Sequence, residues 1–225
     1  MKPEIQINKK EFYKILIRLA LPIALQNLML ASVAAGDALM LGKVAQDEMT
    51  AVSLATQIQF VQNMFLAAVT GAGAILGAQY WGKGDKYTLE NIFNLMLRFG
   101  GTVSILFFLA CELGPGLLMH IFTPDASLIA IGSAYLRIAG WSYLLTGISQ
   151  CYLAVMKVSD HVKPCALISS CAVLLNIGLN AVFIFGLLGA PRMQARGAAL
   201  ATAVSRIVEL ALCIGVSTGT SYIRP

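Results

Sequence analysis

Charged residues are scarce in this sequence. Lysine, arginine, aspartate and glutamate make up 12% of its 225 residues, whereas they make up about a quarter of an average soluble domain. Hydrophobic residues make up 58% and form repeated apolar runs, each close to the roughly 20 residues that cross a bilayer as a helix. The scarcity of charge excludes a soluble domain, and the continuous runs exclude a β-barrel, whose strands alternate in polarity. The sequence therefore predicts an all-α, polytopic membrane protein.

Cysteine and histidine offer little for metal binding or catalysis. The sequence has five cysteines and two histidines, and no two cysteines form a CxxC pair. An odd number of cysteines in or beside apolar runs indicates neither a disulfide framework nor a metal site. HExxH and serine-elbow motifs are missing as well. We therefore predict a protein that is not an enzyme and that needs no metal or other cofactor.

Breaks between the apolar runs divide the chain into six predicted transmembrane helices. The breaks are short and rich in glycine, proline and charge, as in GKVAQDE and WGKGDKYTLEN, which favours a compact bundle of antiparallel neighbours. We expect a cytoplasmic or interfacial segment over residues 1–14, a six-helix membrane domain over 15–218, and the start of a cytoplasmic connection over 219–225. The predicted spans cover residues 15–42, 51–79, 91–110 with a tail to 122, 133–156, 164–188 and 197–216.

Basic residues are distributed unevenly between the two ends of these spans. Ten lysines and arginines fall in the N-terminal segment, the second and fourth connections and the C-terminal end, whereas three fall on the opposite side, at Lys43, Arg192 and Arg196. The positive-inside rule therefore predicts that both termini are cytoplasmic. Because five of the basic residues lie at or before the start of the first span, the net charge of +5 reflects topology and does not indicate a nucleic-acid partner.

Two patterns inside the spans are interpreted as structural. Gly73 and Gly77 have the GxxxG spacing that lets membrane helices approach closely. Arg206 and Glu209 are three residues apart on the sixth span, so their charges can pair on one helix face. We predict helix packing for the first pattern and a mutually neutralising ion pair for the second.

Polar residues on three spans fall at a similar depth. Asp37 lies six residues before Lys43, about 9 Å below the outer surface at 1.5 Å per helical residue. Asn176 and Asn180 are four residues apart, hence on one face of the fifth span. Asn180 lies about 13 Å and Thr202 about 8 Å below the same surface. The sequence thus places a carboxylate, two amides and a hydroxyl in the outer half of the membrane.

This set of oxygen ligands suits a small cation. A lone aspartate in a membrane span costs about 2.5–3.5 kcal/mol on insertion scales, and such residues often mark ion pathways. A carboxylate in a medium of low dielectric binds a proton more readily than in water, and hard cations prefer oxygen ligands. The alternative is that Asp37 reaches the nearby outer interface while the asparagines join helices. Position alone favours neither interpretation.

Several segments in a fixed order resemble a known family. They are LALPIALQNLMLASVAAGDALMLGKV, GAQYWGKGD, IFTPD with YLRIAG, NIGLNAVFIFG and RGAALATAVSR. Together they resemble the N-terminal lobe of multidrug and toxic compound extrusion (MATE) transporters over nearly the whole chain. The resemblance implies two six-helix lobes around a central cavity that opens to alternate sides of the plasma (inner) membrane. It also implies export of cationic or amphipathic drugs in exchange for H⁺ or Na⁺, with no other cofactor.

The resemblance extends to individual residues. Asp37 matches the family's acidic residue in the first helix, fifteen residues after a helix-bending proline, here Pro22. Asn176, Asn180 and Thr202 match polar residues of the cation site in the N-terminal lobe. Some members carry an acid where this chain has Asn180, so the resemblance leaves the choice between H⁺ and Na⁺ open.

The sequence ends at SYIRP, where the family continues through an inter-lobe connection, so the chain is either a truncated lobe or a half-transporter that pairs with a second copy. The expected partners are small drug molecules, the lipid bilayer, and a second lobe or homodimer partner.

Two alternatives accompany the antiporter interpretation. A flippase for lipids or lipid-linked saccharides would need a cationic cavity, for which only Arg98, Arg137 and Arg206 are candidates. A non-transporting membrane fragment or scaffold is the second alternative.

Overall fold

The fold is described from a computed structural model. It describes residues 13–14, 16–17, 20–21, 24–25, 28, 36–159, 161–189 and 191–219. All regular structure in these residues is helical, which confirms the predicted all-α fold class. Half of the first predicted span, including Pro22, lies outside the described residues, and its described end is helical over 36–42.

Six helices follow this first segment. Five of them are long and apolar enough to cross a membrane and coincide with the second to sixth predicted spans. The limits predicted for the N-terminal segment (1–14), the membrane domain (15–218) and the C-terminal connection (219–225) remain a prediction. The helices are α1 (Gln46–Gly82), α2 (Lys86–Leu113), the short α3 (Pro115–His120), α4 (Ala126–Val158), α5 (Val162–Phe185) and α6 (Gln194–Gly219), with a 3₁₀ turn at Leu187–Gly189.

The observed helices differ from the predicted spans mainly at their ends. α1 begins at Gln46, five residues before the predicted start, because Asp47 and Glu48 are favourable in a first helical turn. The predicted tail of the third span is a separate helix, α3, which has Pro115 as its first residue. A proline lacks the N–H that would continue α2, but it is tolerated where a new helix starts. α5 ends at Phe185, and the next residue, Gly186, has a φ of 72°, the left-handed conformation typical of glycine after a helix.

Helix α4 lies at the centre of the bundle. It packs against α1, α2 and α6, while α5 packs chiefly against α6. Gln62 of α1 is fully buried, and its Nε2 donates to the backbone oxygen of Tyr143 in α4 at 2.8 Å and to Ser104 Oγ in α2 at 3.3 Å. One amide therefore joins three helices at a single level of the bundle.

Small residues allow the helices to approach closely. A Cβ atom on Gly73 would lie 2.1 Å from Met96 Sδ, and one on Gly77 would lie 3.0 Å from Leu89 Cδ1. Both glycines face α2, so the predicted packing role of the GxxxG pattern is confirmed. The closest approach is at Gly147 of α4, where a Cβ would lie 1.8 Å from Ser104 Oγ.

A single acidic side chain fixes the beginning of α6. Glu48 Oε2, in the first turn of α1, accepts the backbone N–H of Ala195 at 2.9 Å. The first amides of a helix have no partner within the helix, and the N-terminus of a helix attracts negative charge. This contact holds the start of α6 beside the start of α1, next to the residues 36–42.

The connection between α1 and α2 supplies a pH-dependent helix cap. Asp85 Oδ2 accepts Thr88 Oγ1 at 2.6 Å, and Oδ1 accepts the Thr88 N–H at 3.0 Å. These two bonds lower the pKa of Asp85 below its usual value. A lowered pKa stabilises the folded state above the unfolded pKa, and that stabilisation is lost as the pH falls through the folded pKa.

We therefore expect amide hydrogen exchange in the first turn of α2 to rise as the pH falls below about 4, after correction for the intrinsic pH dependence of exchange. Asp85→Asn keeps an oxygen that accepts the Thr88 N–H but does not titrate. The variant should lose the extra rise in exchange. An equal rise in the variant and in the unmodified protein would contradict the assignment.

Candidate functional site

A cavity of about 580 Å³ lies among the helices. Its wall is formed by the segment 36–42 together with α1, α4, α5 and α6. Apolar groups such as Phe60 and Leu66 alternate in the wall with the amides of Gln57, Asn63 and Gln150. A concave site with apolar surface and a few polar groups is the usual form of a pocket for a small organic molecule.

The predicted polar residues meet in one hydrogen-bonded chain. Asn180 Nδ2 donates to Asp37 Oδ1 at 2.5 Å and to Asn176 Oδ1 at 3.1 Å. Asn176 Nδ2 donates to Thr202 Oγ1 at 3.3 Å, and Thr202 Oγ1 donates to the backbone oxygen of Ala198 at 3.0 Å. The structure thus brings together all four residues, from three different membrane segments.

Local sequence explains why these groups can meet. The two asparagines are four residues apart and lie on the same face of α5. Close to Thr202, α6 carries the buried residues Ala198, Ala199 and Ala201, whose small side chains let neighbouring helices approach the backbone of α6. Small residues at such contacts are typical of membrane helix pairs joined by amide and hydroxyl side chains.

The cluster passes from the cavity into the interior of the bundle. Asp37, Asn176 and Thr202 line the cavity, whereas Asn180 is fully buried behind them. Asn180 Oδ1 has no hydrogen-bond partner within the part of the chain that the structure describes. A buried acceptor without a partner is costly, so this oxygen is available to a proton donor or a cation beside the Asp37 carboxylate.

Sequence reasoning missed part of the site. The predicted pair of Arg206 and Glu209 is present, with Nη1 of the arginine 2.5 Å from Oε2 of the glutamate. Both residues also line the cavity, which an interpretation of the pair as purely structural did not include. Arg206 and Glu209 follow Thr202 by four and seven residues, which places all three on one face of α6. This spacing could have indicated that the pair also lines the cavity.

Comparison with known proteins relates this arrangement to one family. A model of the MatE family matches residues 22–182. The uncharacterized transporter YisQ of Bacillus subtilis is 24% identical over 87% of this chain and 43% of its own length. The probable multidrug resistance protein NorM of Bradyrhizobium diazoefficiens is 27% identical over 93% of this chain and 44% of its own. The chain therefore spans less than half the length of these curated relatives.

Solved structures share the fold. The MATE multidrug transporter DinF-BH has a TM-score of 0.85 at 18% identity, over 99% of this chain and 50% of its own. An outward-facing multidrug resistance MATE transporter of the MOP superfamily has a TM-score of 0.80 at 18% identity, over 92% of this chain and 46% of its own. At these identities the likeness shows the fold alone. Because the family model itself matches most of the sequence, the chain belongs to the MatE family, as its resemblance to multidrug and toxic compound extrusion transporters predicts.

Proposed function

We propose that this chain forms one lobe of a secondary active antiporter that exports cationic or amphipathic drugs in exchange for H⁺ or Na⁺. The observation that carries the proposal is the chain of hydrogen bonds from Asp37 through Asn180 and Asn176 to Thr202, set in the wall of a cavity. Because the same carboxylate would bind the ion and face the drug, the binding of one ligand would directly change the affinity for the other. Several relatives are themselves named multidrug resistance proteins.

The cluster can bind either coupling ion. An ionised Asp37 accepts Asn180 Nδ2, as in the present geometry. A protonated carboxyl is also a donor and would turn towards an acceptor such as Asn180 Oδ1, which has no partner among the described residues. A sodium ion would instead draw the carboxylate, amide and hydroxyl oxygens around itself, since hard cations prefer oxygen ligands. Either event changes the contact between the first membrane segment and α5.

The charge of the cavity favours cationic substrates. Its charged lining residues within the described parts of the chain are Asp37, Arg206 and Glu209, and the last two neutralise each other. An ionised Asp37 then leaves an excess negative charge, which attracts an organic cation in a site of low dielectric. Binding of the coupling ion at Asp37 removes that charge and favours release of the drug.

The flippase alternative is less well supported. Phosphate headgroups call for several cationic groups in the cavity, but Arg98 and Arg137 are exposed and do not line it. Arg206 does line it, but a single guanidinium does not supply the several cationic groups that phosphate headgroups call for.

We also propose that transport requires a second six-helix lobe, because alternating access needs two halves that move against each other. A further part of the same protein or a second copy of this chain would supply that lobe.

Reconstituted transport tests the proposed function. The protein is placed in liposomes with a fluorescent organic cation outside and either protons or Na⁺ concentrated inside. An antiporter is expected to accumulate the dye, up to about tenfold for one-to-one exchange with a tenfold ion gradient. The accumulation should disappear when an ionophore collapses the gradient. Dye uptake that is independent of both gradients, together with scrambling of labelled phospholipids, would favour the flippase instead.

A further inference from the structure

Arg206 occupies a distinct position in the cavity wall. It lies on α6 one turn beyond Thr202, about 6 Å along the helix axis, and on the same face. Its side chain is 19% exposed and lines the cavity. A guanidinium group is therefore presented to any ligand that reaches the Asp37 cluster from the cavity.

Most hydrogen-bond donors of this guanidinium are unused. Nη1 donates to Glu209 Oε2 at 2.5 Å, and Arg206 makes no other hydrogen bond among the described residues. A guanidinium carries five N–H donors in a rigid, planar fork. The donors that Glu209 does not take are available to a ligand.

Glu209 holds the guanidinium in place. Glu209 is 1% exposed and lies three residues further along the same helix, so its carboxylate neutralises Arg206 from the protein side. A buried carboxylate of this kind would be strongly destabilising without its cationic partner. Glu209 is thus a positioning residue, and Arg206 is the group that faces the ligand.

We propose that Arg206 is a specificity-determining residue that binds a carboxylate of the substrate. The guanidinium fork matches two parallel carboxylate oxygens, and such charge-assisted pairs are about twice as strong as neutral hydrogen bonds. Gln150 and Asn63, which share the cavity wall, provide further amide donors. Substrates that carry a cationic group for Asp37 and a carboxylate for Arg206 are the chemical class that this wall favours. The inference rests on the proposed function in that its ligand is a drug molecule in the same cavity.

A pair of dyes that differ by one carboxylate tests the proposal. A cationic rhodamine ester and its free acid share ring system and size, but only the acid carries a carboxylate. Equilibrium binding to the purified protein in lipid nanodiscs, read by fluorescence anisotropy, is expected to favour the acid at least tenfold. Equal affinity for the two dyes would overturn the proposal, and so would the binding of neither.

Two variants separate recognition from folding. Arg206→Gln combined with Glu209→Gln replaces the ion pair with two neutral amides, leaves no unpaired buried charge, and should reduce the preference to about twofold. Arg206→Lys keeps the ion pair but loses the fork, and should give an intermediate preference. Arg137→Gln, at an exposed arginine outside the cavity, should change neither affinity. A preference that persists in the double variant would overturn the proposal.

The result is distinguishable from the outcome for the proposed function. Dye binding in nanodiscs needs no ion gradient, so a preference for the acid would support the Arg206 subsite even if neither ion drives transport. Gradient-driven export without any acid preference would support the antiporter and overturn the subsite.

Discussion

Replacement of Asp37 by asparagine is expected to abolish ion-driven drug export. The amide does not bind a proton near neutral pH, and it has no negative charge to balance Na⁺. The cavity therefore loses the group that the coupling ion and the drug would share. In cells that express this gene as their main efflux system, the drug concentration that the cells tolerate should fall at least tenfold. The measurement is the minimal inhibitory concentration of a cationic dye, together with dye efflux from loaded cells.

The amount of protein in the membrane should stay the same in this variant. The asparagine keeps a side-chain oxygen that can accept Asn180 Nδ2, which now donates to Asp37 at 2.5 Å, and it removes a charge that is costly to insert. Asp47→Asn is a matched control, because Asp47 lies exposed in the first turn of α1. The control should export normally. Full export by the Asp37→Asn variant would exclude Asp37 as the coupling residue.

Gly147→Ala is expected to have the largest effect on stability. A Cβ at this position would lie 1.8 Å from Ser104 Oγ and 2.9 Å from the backbone oxygen of Gly100. The serine side chain can rotate, but the Gly100 carbonyl belongs to the backbone of α2 and moves only if the two helices separate. Overpacking of this kind costs roughly 1–3 kcal/mol, and occasionally more.

The measurement is the midpoint of thermal unfolding in detergent, followed by size-exclusion recovery after heating. Gly101→Ala is the matched control, since a Cβ on Gly101 meets no atom within 4 Å. Alanine in a helix interior is favoured over glycine by about 0.5–1 kcal/mol, so the control should be unchanged or slightly stabilised. Equal midpoints for the two variants would show that α2 and α4 do not touch at Gly147.

The polar cluster could be predicted from the sequence because depth in a membrane is nearly one-dimensional. Counting 1.5 Å per residue from the span ends placed Asp37, Asn180 and Thr202 in one half of the bilayer. The structure places the same residues in one chain of hydrogen bonds. The span positions were predictable for a similar reason, since apolar length alone reveals a membrane helix.

The direction in which each helix faces was not predictable in the same way. A membrane helix is apolar both where it meets lipid and where it packs on its neighbours, so the apolar pattern does not identify the packed face. The cavity position of Arg206 and the complete burial of Gln62 were missed for this reason. The start of α1 depended on the acidic residues Asp47 and Glu48 in its first turn, and the start of α3 depended on Pro115. Neither feature is part of the apolar pattern.

The junction at Gln62 restricts how the bundle can move. Its amide joins α1 to both α2 and α4, at the level where Gly147 of α4 meets Ser104 of α2. A slide of α1 by one turn, about 5.4 Å, would break both hydrogen bonds and leave buried polar groups without partners. These three helices therefore keep fixed positions relative to one another along their axes. A rearrangement of the cavity wall that preserves both hydrogen bonds of Gln62 would therefore involve the segment 36–42 and the α5–α6 pair, the elements that carry the Asp37 cluster.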